Sequence, residues 1–117
     1  MKDFRKLNVW EKAHQLTLNI YKVTEEFPRE ELYGLISQIR RASLSIPTNI
    51  AEGSVRSSDA DFVRFLYIAL GSTSELEYLI LLSKDLKFIQ SEIQEKLNAE
   101  INEIKKMLIT FIKKLKA

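Results

Sequence analysis

Apolar residues recur every three or four positions through most of this chain, which is the spacing that places them on one face of an α-helix. The pattern predicts four helices, at about residues 8–27, 32–53, 59–84 and 91–116. Short polar segments separate them, so neighbouring helices are expected to reverse direction. The sequence therefore predicts one all-α domain over residues 1–117, an antiparallel up-down-up-down four-helix bundle.

Polar residues at the predicted helix starts have the spacing of a capping box, in which a side chain accepts a hydrogen bond from the backbone N–H three residues later. Three pairs of this kind occur: Asn8 with Glu11, Ser58 with Asp61, and Ser91 with Gln94. Each pair predicts that a helix begins at or just after its first residue.

Proline and glycine indicate where helices bend or end. Pro28 is expected to end the first helix, because the residue before a proline avoids helical geometry. Pro47 lies inside the second helix, where its ring presses on the carbonyl of Ser43. The apolar stripe keeps its phase on both sides, so a kink is expected there. Gly53 is expected just beyond the helix end with a positive φ.

The third predicted helix is apolar at nearly every angle between residues 62 and 82, and a helix of that kind must be covered on all sides. Either it lies between two neighbours of its own chain, or a second protein surface covers its outer side. Self-association is favoured, and binding of a different protein partner is the alternative. The candidate interface residues are Phe65, Tyr67, Tyr78, Leu81 and Leu82.

The composition narrows the chemistry. Eighteen Lys and Arg oppose sixteen Asp and Glu, and the net charge of +2 is small for a nucleic-acid-binding domain. The absence of Cys excludes disulfides, thiolate metal sites and a cysteine nucleophile, and fits a reducing compartment. We find no apolar run of about 18 residues and no signal peptide, so we expect a cytoplasmic protein without a membrane partner.

Catalytic and cofactor motifs are weak. Glu11 and His14 have the Glu-x-x-His spacing of di-iron bundles, but those sites need the motif twice and His14 is the only histidine. No phosphate-binding glycine loop or nucleophile elbow occurs. We therefore expect no metal, no cofactor and no enzymatic activity.

A polar stripe follows the second predicted helix and comprises Gln38, Arg41, Ser45, Asn49, Glu52 and Arg56. It can be a solvated face without further role. Alternatively, Arg40, Arg41 and Arg56 bind phosphates and Asn49 positions them. A third interpretation pairs Arg40 or Arg41 with Glu75 or Glu77 of the third helix, because a buried carboxylate needs a partner.

The fourth predicted helix ends in a cluster of lysines with no acidic residue after Glu103. The helix macrodipole favours lysine at this position in any case. The cluster is also a candidate contact with nucleic acid or another anionic surface, and oligomerisation would gather several such ends. Its members are Lys105, Lys106, Lys113, Lys114 and Lys116.

Several segments together resemble a bacterial family of four-helix bundle proteins encoded in intervening sequences of 23S ribosomal RNA genes. They are residues 4–10, 27–35, 38–42, 45–53 and 65–72, with Asn49-Ile50-Ala51-Glu52-Gly53 as the signature. The resemblance implies a homopentameric ring without enzymatic activity. The chain is also similar to the accessory protein of diversity-generating retroelements, a basic pentamer that binds nucleic acid and a reverse transcriptase.

These observations lead to two hypotheses. The first is a non-catalytic oligomer, a pentamer by resemblance, that binds nucleic acid or a nucleic-acid enzyme through a basic surface. The second is a purely structural oligomer with a protein partner and no role in nucleic-acid binding. The salt dependence of RNA affinity separates them.

Overall fold

A computed structural model describes residues 2–117 and contains four α-helices over that range, with no β-strand. They are α1 (Asn8–Thr24), α2 (Leu35–Ser54), α3 (Asp59–Asp85) and α4 (Ser91–Lys116). Short 3-10 helices at Phe4–Lys6 and Arg29–Glu31 precede α1 and α2. The prediction of four helices is confirmed, and no predicted boundary differs from the observed one by more than three residues.

Each helix packs against two others, as expected for a bundle. α2 contacts α1 and α3, while α4 contacts α3 and α1. The molecule is elongated, measuring 43 × 23 × 20 Å. All four helices contribute fully buried side chains to one core, among them Leu16, Ile50, Leu66 and Ile104. The helical periodicity in the sequence therefore corresponds to a single shared interior.

Pro47 lies inside α2, and the helix continues past it to Ser54, as the unbroken apolar stripe predicted. Because proline has no N–H, the carbonyl of Ser43 four residues earlier loses its helical donor. Thr17 of α1 supplies a replacement: its Oγ1 lies 3.1 Å from the Ser43 oxygen and 2.9 Å from the Ala13 oxygen, and its single proton is shared between these two carbonyls. Ser43 is completely buried, so this contact satisfies a carbonyl that water does not reach.

Gly53 differs from its predicted role. No glycine among residues 2–117 has a positive φ, and Gly53 lies inside α2, buried against α3. A Cβ at this position would lie 2.8 Å from Cδ1 of Phe62 and 2.8 Å from Cβ of Phe65. The prediction of a helix-terminating glycine was therefore wrong, and the missing side chain instead allows α2 and α3 to approach closely.

Only one of the three predicted caps is confirmed. The Ser58 hydroxyl accepts from the Asp61 N–H at 3.1 Å. α1 and α4 instead have Leu7 and Gln90 as their N-caps, neither of which makes a side-chain capping bond, so the predicted caps Asn8 and Ser91 were wrong by one residue. At the start of α1, Leu7 packs against the core, and this apolar contact fixes the helix start at a residue that cannot cap it.

α3 is the longest helix, with 27 residues, and among the described residues it is long and apolar enough by length and composition to cross a membrane. The expectation that no segment meets this test was therefore wrong. The core helix of a bundle has the same composition, and α3 packs here against α2 and α4. Part of its apolar surface remains outside the core.

Candidate interaction surfaces

One end of the bundle gathers the N-terminus, the α2–α3 connection and the end of α4. The Lys2 N–H donates to the Ser54 carbonyl at 2.7 Å. The Phe62 and Phe111 rings meet edge to face, with centroids 5.3 Å apart. We define the basic pole as residues 2–7, 52–64 and 106–117.

Charge is distributed unevenly along the bundle. The basic pole carries nine Lys and Arg against four Asp and Glu, a net charge of +5. At the other end Phe27 packs against Phe88, with ring centroids 5.5 Å apart. We define the acidic pole as residues 22–31 and 84–96, which carry five basic and seven acidic side chains, a net charge of −2. The small total charge therefore conceals a separation of basic and acidic side chains between the two ends of the bundle.

Four of the predicted nucleic-acid-binding residues fall within the basic pole. They are Arg56, Lys106, Lys113 and Lys114, and all are exposed. The fold adds basic residues that the sequence analysis did not consider: Lys2, Arg5, Lys6 and Arg64. Proximity between the chain start and residues 52–64 exists only in three dimensions, which is why linear charge patterns missed this surface.

Lys105 is separated from the other lysines of its cluster by its partner. Its Nζ donates to Oε1 of Glu77 on α3 at 2.7 Å, and both side chains are partly buried. This ion pair joins α3 to α4. Glu77 therefore has a basic partner, as a buried carboxylate requires, but the partner comes from α4 rather than from Arg40 or Arg41 of α2.

Arg40 contacts α1. Its Nε donates to Thr24 Oγ1 at 2.9 Å and its Nη2 to the Tyr21 carbonyl at 3.3 Å. The guanidinium also lies over the Tyr21 ring, 4.6 Å from the centroid. These contacts tie α2 to the last turn of α1, where carbonyls lack helical donors. Arg40 therefore does not pair with Glu75 or Glu77, contrary to one of the three interpretations.

We expect Arg40→Ala to lower the free energy of unfolding by about 1 to 2 kcal/mol, because it removes two charge-assisted hydrogen bonds and a cation–π contact. Arg41→Ala, at the adjacent exposed position, is expected to change it by less than about 0.5 kcal/mol. Urea denaturation of both variants measures the difference. Equal losses would contradict a structural role confined to Arg40.

Arg41 lines a polar groove of about 550 Å³ between α2 and α3. Glu75 lines the same groove, and its Oε2 accepts from Gln38 Nε2 at 3.5 Å. Among residues 2–117 no acidic oxygen lies within 4.0 Å of the Arg41 guanidinium, so the predicted pairing of Arg41 with Glu75 or Glu77 does not occur. Arg41 faces away from the basic pole.

The Asn49 side chain donates hydrogen bonds within its own helix. Its Nδ2 donates to the Ser45 carbonyl at 2.8 Å and to Ser45 Oγ at 3.0 Å. Ser45 Oγ also accepts from Ser72 Oγ at 2.8 Å, so the network bridges α2 and α3. Asn49 is half-buried and contributes to this seam between two helices.

The outer side of α3 is apolar and exposed. We define the α3 face as Tyr67, Ile68, Gly71, Ser74, Tyr78 and Leu81, all of which are exposed. Tyr78 is 58% exposed and Ile68 46%. Tyr67, Tyr78 and Leu81, three of the predicted interface residues, are exposed in the single chain, as a contact surface requires. Ile68 and Gly71 were not predicted to be part of this surface, although the alternating steps of three and four residues contain the signal.

Two of the predicted interface residues do not belong to the α3 face. Phe65 is buried, and its ring lies beneath the guanidinium groups of Arg56 and Arg64, at 4.5 Å and 5.1 Å from the centroid. The prediction that Phe65 is exposed was therefore wrong, because basic side chains of its own chain cover it. Leu82 is half-buried, at the edge of the core.

His14 has an aromatic neighbour. Its ring stacks on that of Trp10, with centroids 5.0 Å apart and an angle of 8° between the planes. Trp10 in turn contacts Phe4 edge to face. Over residues 2–117 no three His, Cys, Asp or Glu side chains converge in a way that can hold a metal ion. His14 therefore belongs to an aromatic stack beside the core, while Glu11 Oε1 accepts from Gln15 Nε2 at 3.1 Å.

The fold and these surfaces define the class: a four-helix protein with an apolar helix face outside its core and one basic end. The family model described as 23S rRNA-intervening sequence protein matches residues 5–110, and the chain belongs to this family. The resemblance noted from sequence motifs is thereby confirmed. No curated protein matches the chain.

One solved structure is similar over almost the whole chain. It is a protein of unknown function from the S23 ribosomal protein family of Bacteroides thetaiotaomicron, determined as a crystal structure. The two chains share 33% sequence identity, and the TM-score is 0.83. The match covers 90% of this chain and 95% of that chain. The similarity therefore extends to the complete fold.

Proposed function

We propose that this protein is a non-catalytic, homo-oligomeric interaction protein that binds nucleic acid through its basic pole. The observation that carries the proposal is the concentration of nine basic side chains at one end of a chain whose total charge is only +2. Lysine and arginine that contact phosphates displace condensed counterions, and this release drives binding without sequence specificity.

The lysines at the end of α4 are the centre of this proposed surface. Lys106, Lys113 and Lys114 are exposed, and no acidic residue follows Glu103. Lys105 contributes less, because Glu77 neutralises it. Arg40, Arg41 and Asn49 lie outside the proposed surface, and Arg40 and Asn49 already donate hydrogen bonds within the bundle.

The α3 face supports the oligomeric part of the proposal. An exposed stripe of aromatic and aliphatic side chains along one helix is typical of protein contacts. Family resemblance points to five copies in a ring, and the contacts at the two poles support antiparallel, up-down-up-down helices within each copy. If the copies align their axes, their basic poles gather on one side and form a dense positive surface.

A purely structural oligomer with a protein partner is the second candidate function. The observation that favours it is the uncharged character of the α3 face, which needs no nucleic acid to explain it. Under this alternative the basic pole stabilises helix ends and keeps the assembly soluble. Nucleic-acid affinity distinguishes the two functions.

Fluorescence anisotropy with a labelled single-stranded RNA tests the proposal. We expect binding at 50 mM salt that weakens about ten-fold or more at 200 mM, because several phosphates are neutralised. Lys113→Glu combined with Lys114→Glu is expected to weaken binding at least ten-fold. Both lysines are exposed, so folding is expected to be unaffected.

The matched control is Lys22→Glu combined with Lys96→Glu, which changes the net charge equally at exposed positions of the acidic pole. We expect this control to weaken binding less than three-fold. Equal losses for the two pairs would show that the basic pole is not the binding surface. No RNA or DNA binding at low salt would favour the structural oligomer.

A further inference from the structure

A groove of about 410 Å³ runs along the seam between α1 and α4 at its basic-pole end. Its floor is apolar and formed by Leu7, Val9, Met107 and Phe111. Two exposed lysines, Lys106 and Lys114, stand on its rim. The groove is open along its length, so an occupant would keep one side in water.

The rest of this seam is bridged by polar contacts. Lys12 Nζ lies 2.7 Å from Glu103 Oε1, and this hydrogen-bonded ion pair raises the pKa of Lys12 above its usual value. Nearer the acidic pole, Asn19 Nδ2 donates to Glu100 Oε1 at 3.1 Å. The groove therefore occupies a separate stretch of the seam with its own, apolar character.

The lysines determine the charge of a suitable occupant. Lys106 and Lys114 are eight residues apart on α4, which corresponds to about 12 Å along the helix axis. No acidic side chain occurs between residues 104 and 117 to neutralise them. An occupant with carboxylates above an apolar side would complement both the floor and the rim.

The open shape favours a helix over a lipid. An alkyl chain in an open groove would leave much of its surface in water, and the hydrophobic gain falls with the area that stays exposed. An amphipathic helix buries its apolar face and keeps its polar face wet, with anchors spaced at i, i+4 and i+7. It can also place acidic residues about two turns apart, opposite both lysines.

We propose that this groove is the docking site for an acidic amphipathic helix of a partner protein. The site lies on the seam between α1 and α4, and none of its lining residues belongs to the α3 face. It shares Lys106 and Lys114 with the basic pole. An acidic helix and a polyanion therefore compete for this end of the molecule.

Selection from a displayed library tests the proposal. The library consists of 16-residue helical peptides with apolar residues at i, i+3, i+4 and i+7 and random residues elsewhere, and the target is the full chain. We expect the selected peptides to be enriched in Asp and Glu beside the apolar stripe. Their affinity is expected to fall at least ten-fold for Lys106→Glu combined with Lys114→Glu.

Two further variants keep the test specific to the groove. Thr110→Trp fills the groove from an exposed lining position and is expected to weaken the same peptides at least ten-fold. Lys96→Glu combined with Lys113→Glu changes the net charge equally outside the groove and is expected to have less than a three-fold effect. A variant that fails to fold is identified by loss of the helical signal in its circular dichroism spectrum.

Three outcomes would overturn the proposal: no enriched peptide, enriched peptides without excess acidic residues, or equal binding by the groove and control variants. A fourth outcome would assign the groove to a lipid instead. In that case laurate binds saturably, Thr110→Trp abolishes its binding, and no peptide binds. RNA affinity of the same variants is measured in parallel, so that loss of nucleic-acid binding and loss of helix docking are scored separately.

Discussion

Ile68→Glu combined with Tyr78→Glu is expected to convert the proposed homo-oligomer into single chains. The molar mass measured by light scattering at micromolar concentration would then fall to about 13.6 kDa, the mass of one chain. The unmodified protein is expected to have a multiple of this mass, five times by family resemblance. Both side chains are roughly half exposed on the α3 face. A carboxylate buried in an apolar contact without a partner costs several kcal/mol. The cost of two such carboxylates is expected to exceed the free energy of association that the interface provides.

Leu86→Glu combined with Ile93→Glu serves as the control, because it places the same charges on exposed apolar positions of the acidic pole. We expect this variant to retain the mass of the unmodified protein. A mass near 13.6 kDa for the unmodified chain would contradict self-association through the α3 face. Dissociation by both pairs would indicate a different interface.

Thr17→Val is expected to lower the free energy of unfolding by about 2 kcal/mol, roughly a thirty-fold change in the folding equilibrium. The substitution preserves side-chain shape but removes the hydroxyl whose proton is shared between the Ser43 carbonyl and the Ala13 carbonyl of its own helix. That carbonyl has no helical donor because residue 47 is proline, and the surrounding core excludes water. The penalty is that of a buried acceptor without a partner.

A double-mutant cycle with Pro47→Ala isolates the cause. The alanine restores a backbone N–H that can donate to the Ser43 carbonyl within α2, so the loss caused by Thr17→Val should shrink to below about 1 kcal/mol in that background. Urea denaturation of the four proteins gives the coupling energy. A Thr17→Val cost that is the same in both backgrounds would refute a proline-dependent role for the hydroxyl.

Helix number and position were predictable from the sequence, because apolar periodicity reflects burial directly. The continuation of α2 past Pro47 was predictable for the same reason: the stripe on either side of it keeps its phase. Gly53 was not, since its role depends on how closely Phe62 and Phe65 of another helix approach. The caps at Asn8 and Ser91 failed by one residue; at α1 the reason is that Leu7 packs against the core, which shifts the helix start without changing the pattern.

The candidate surfaces were only partly predictable. Exposure of Tyr67, Tyr78 and Leu81 followed from the excess of apolar residues on α3, whereas Phe65 has the same apolar character and is covered by two arginines. Arg40 and Arg41 are adjacent in sequence but face different neighbouring helices. Which neighbouring helix each arginine contacts depends on the rotation of α2 about its axis, and the charge pattern does not determine this rotation.

The separation of a basic and an acidic pole gives the molecule a permanent electric dipole along its 43 Å axis. Near a phosphate backbone, this dipole produces a torque that turns the positive end forward before any contact forms. The effect reaches about one Debye length, roughly 10 Å at 0.1 M salt. For the proposed binding of nucleic acid, the dipole would shorten the rotational search during diffusional encounter and raise the association rate more than the net charge alone.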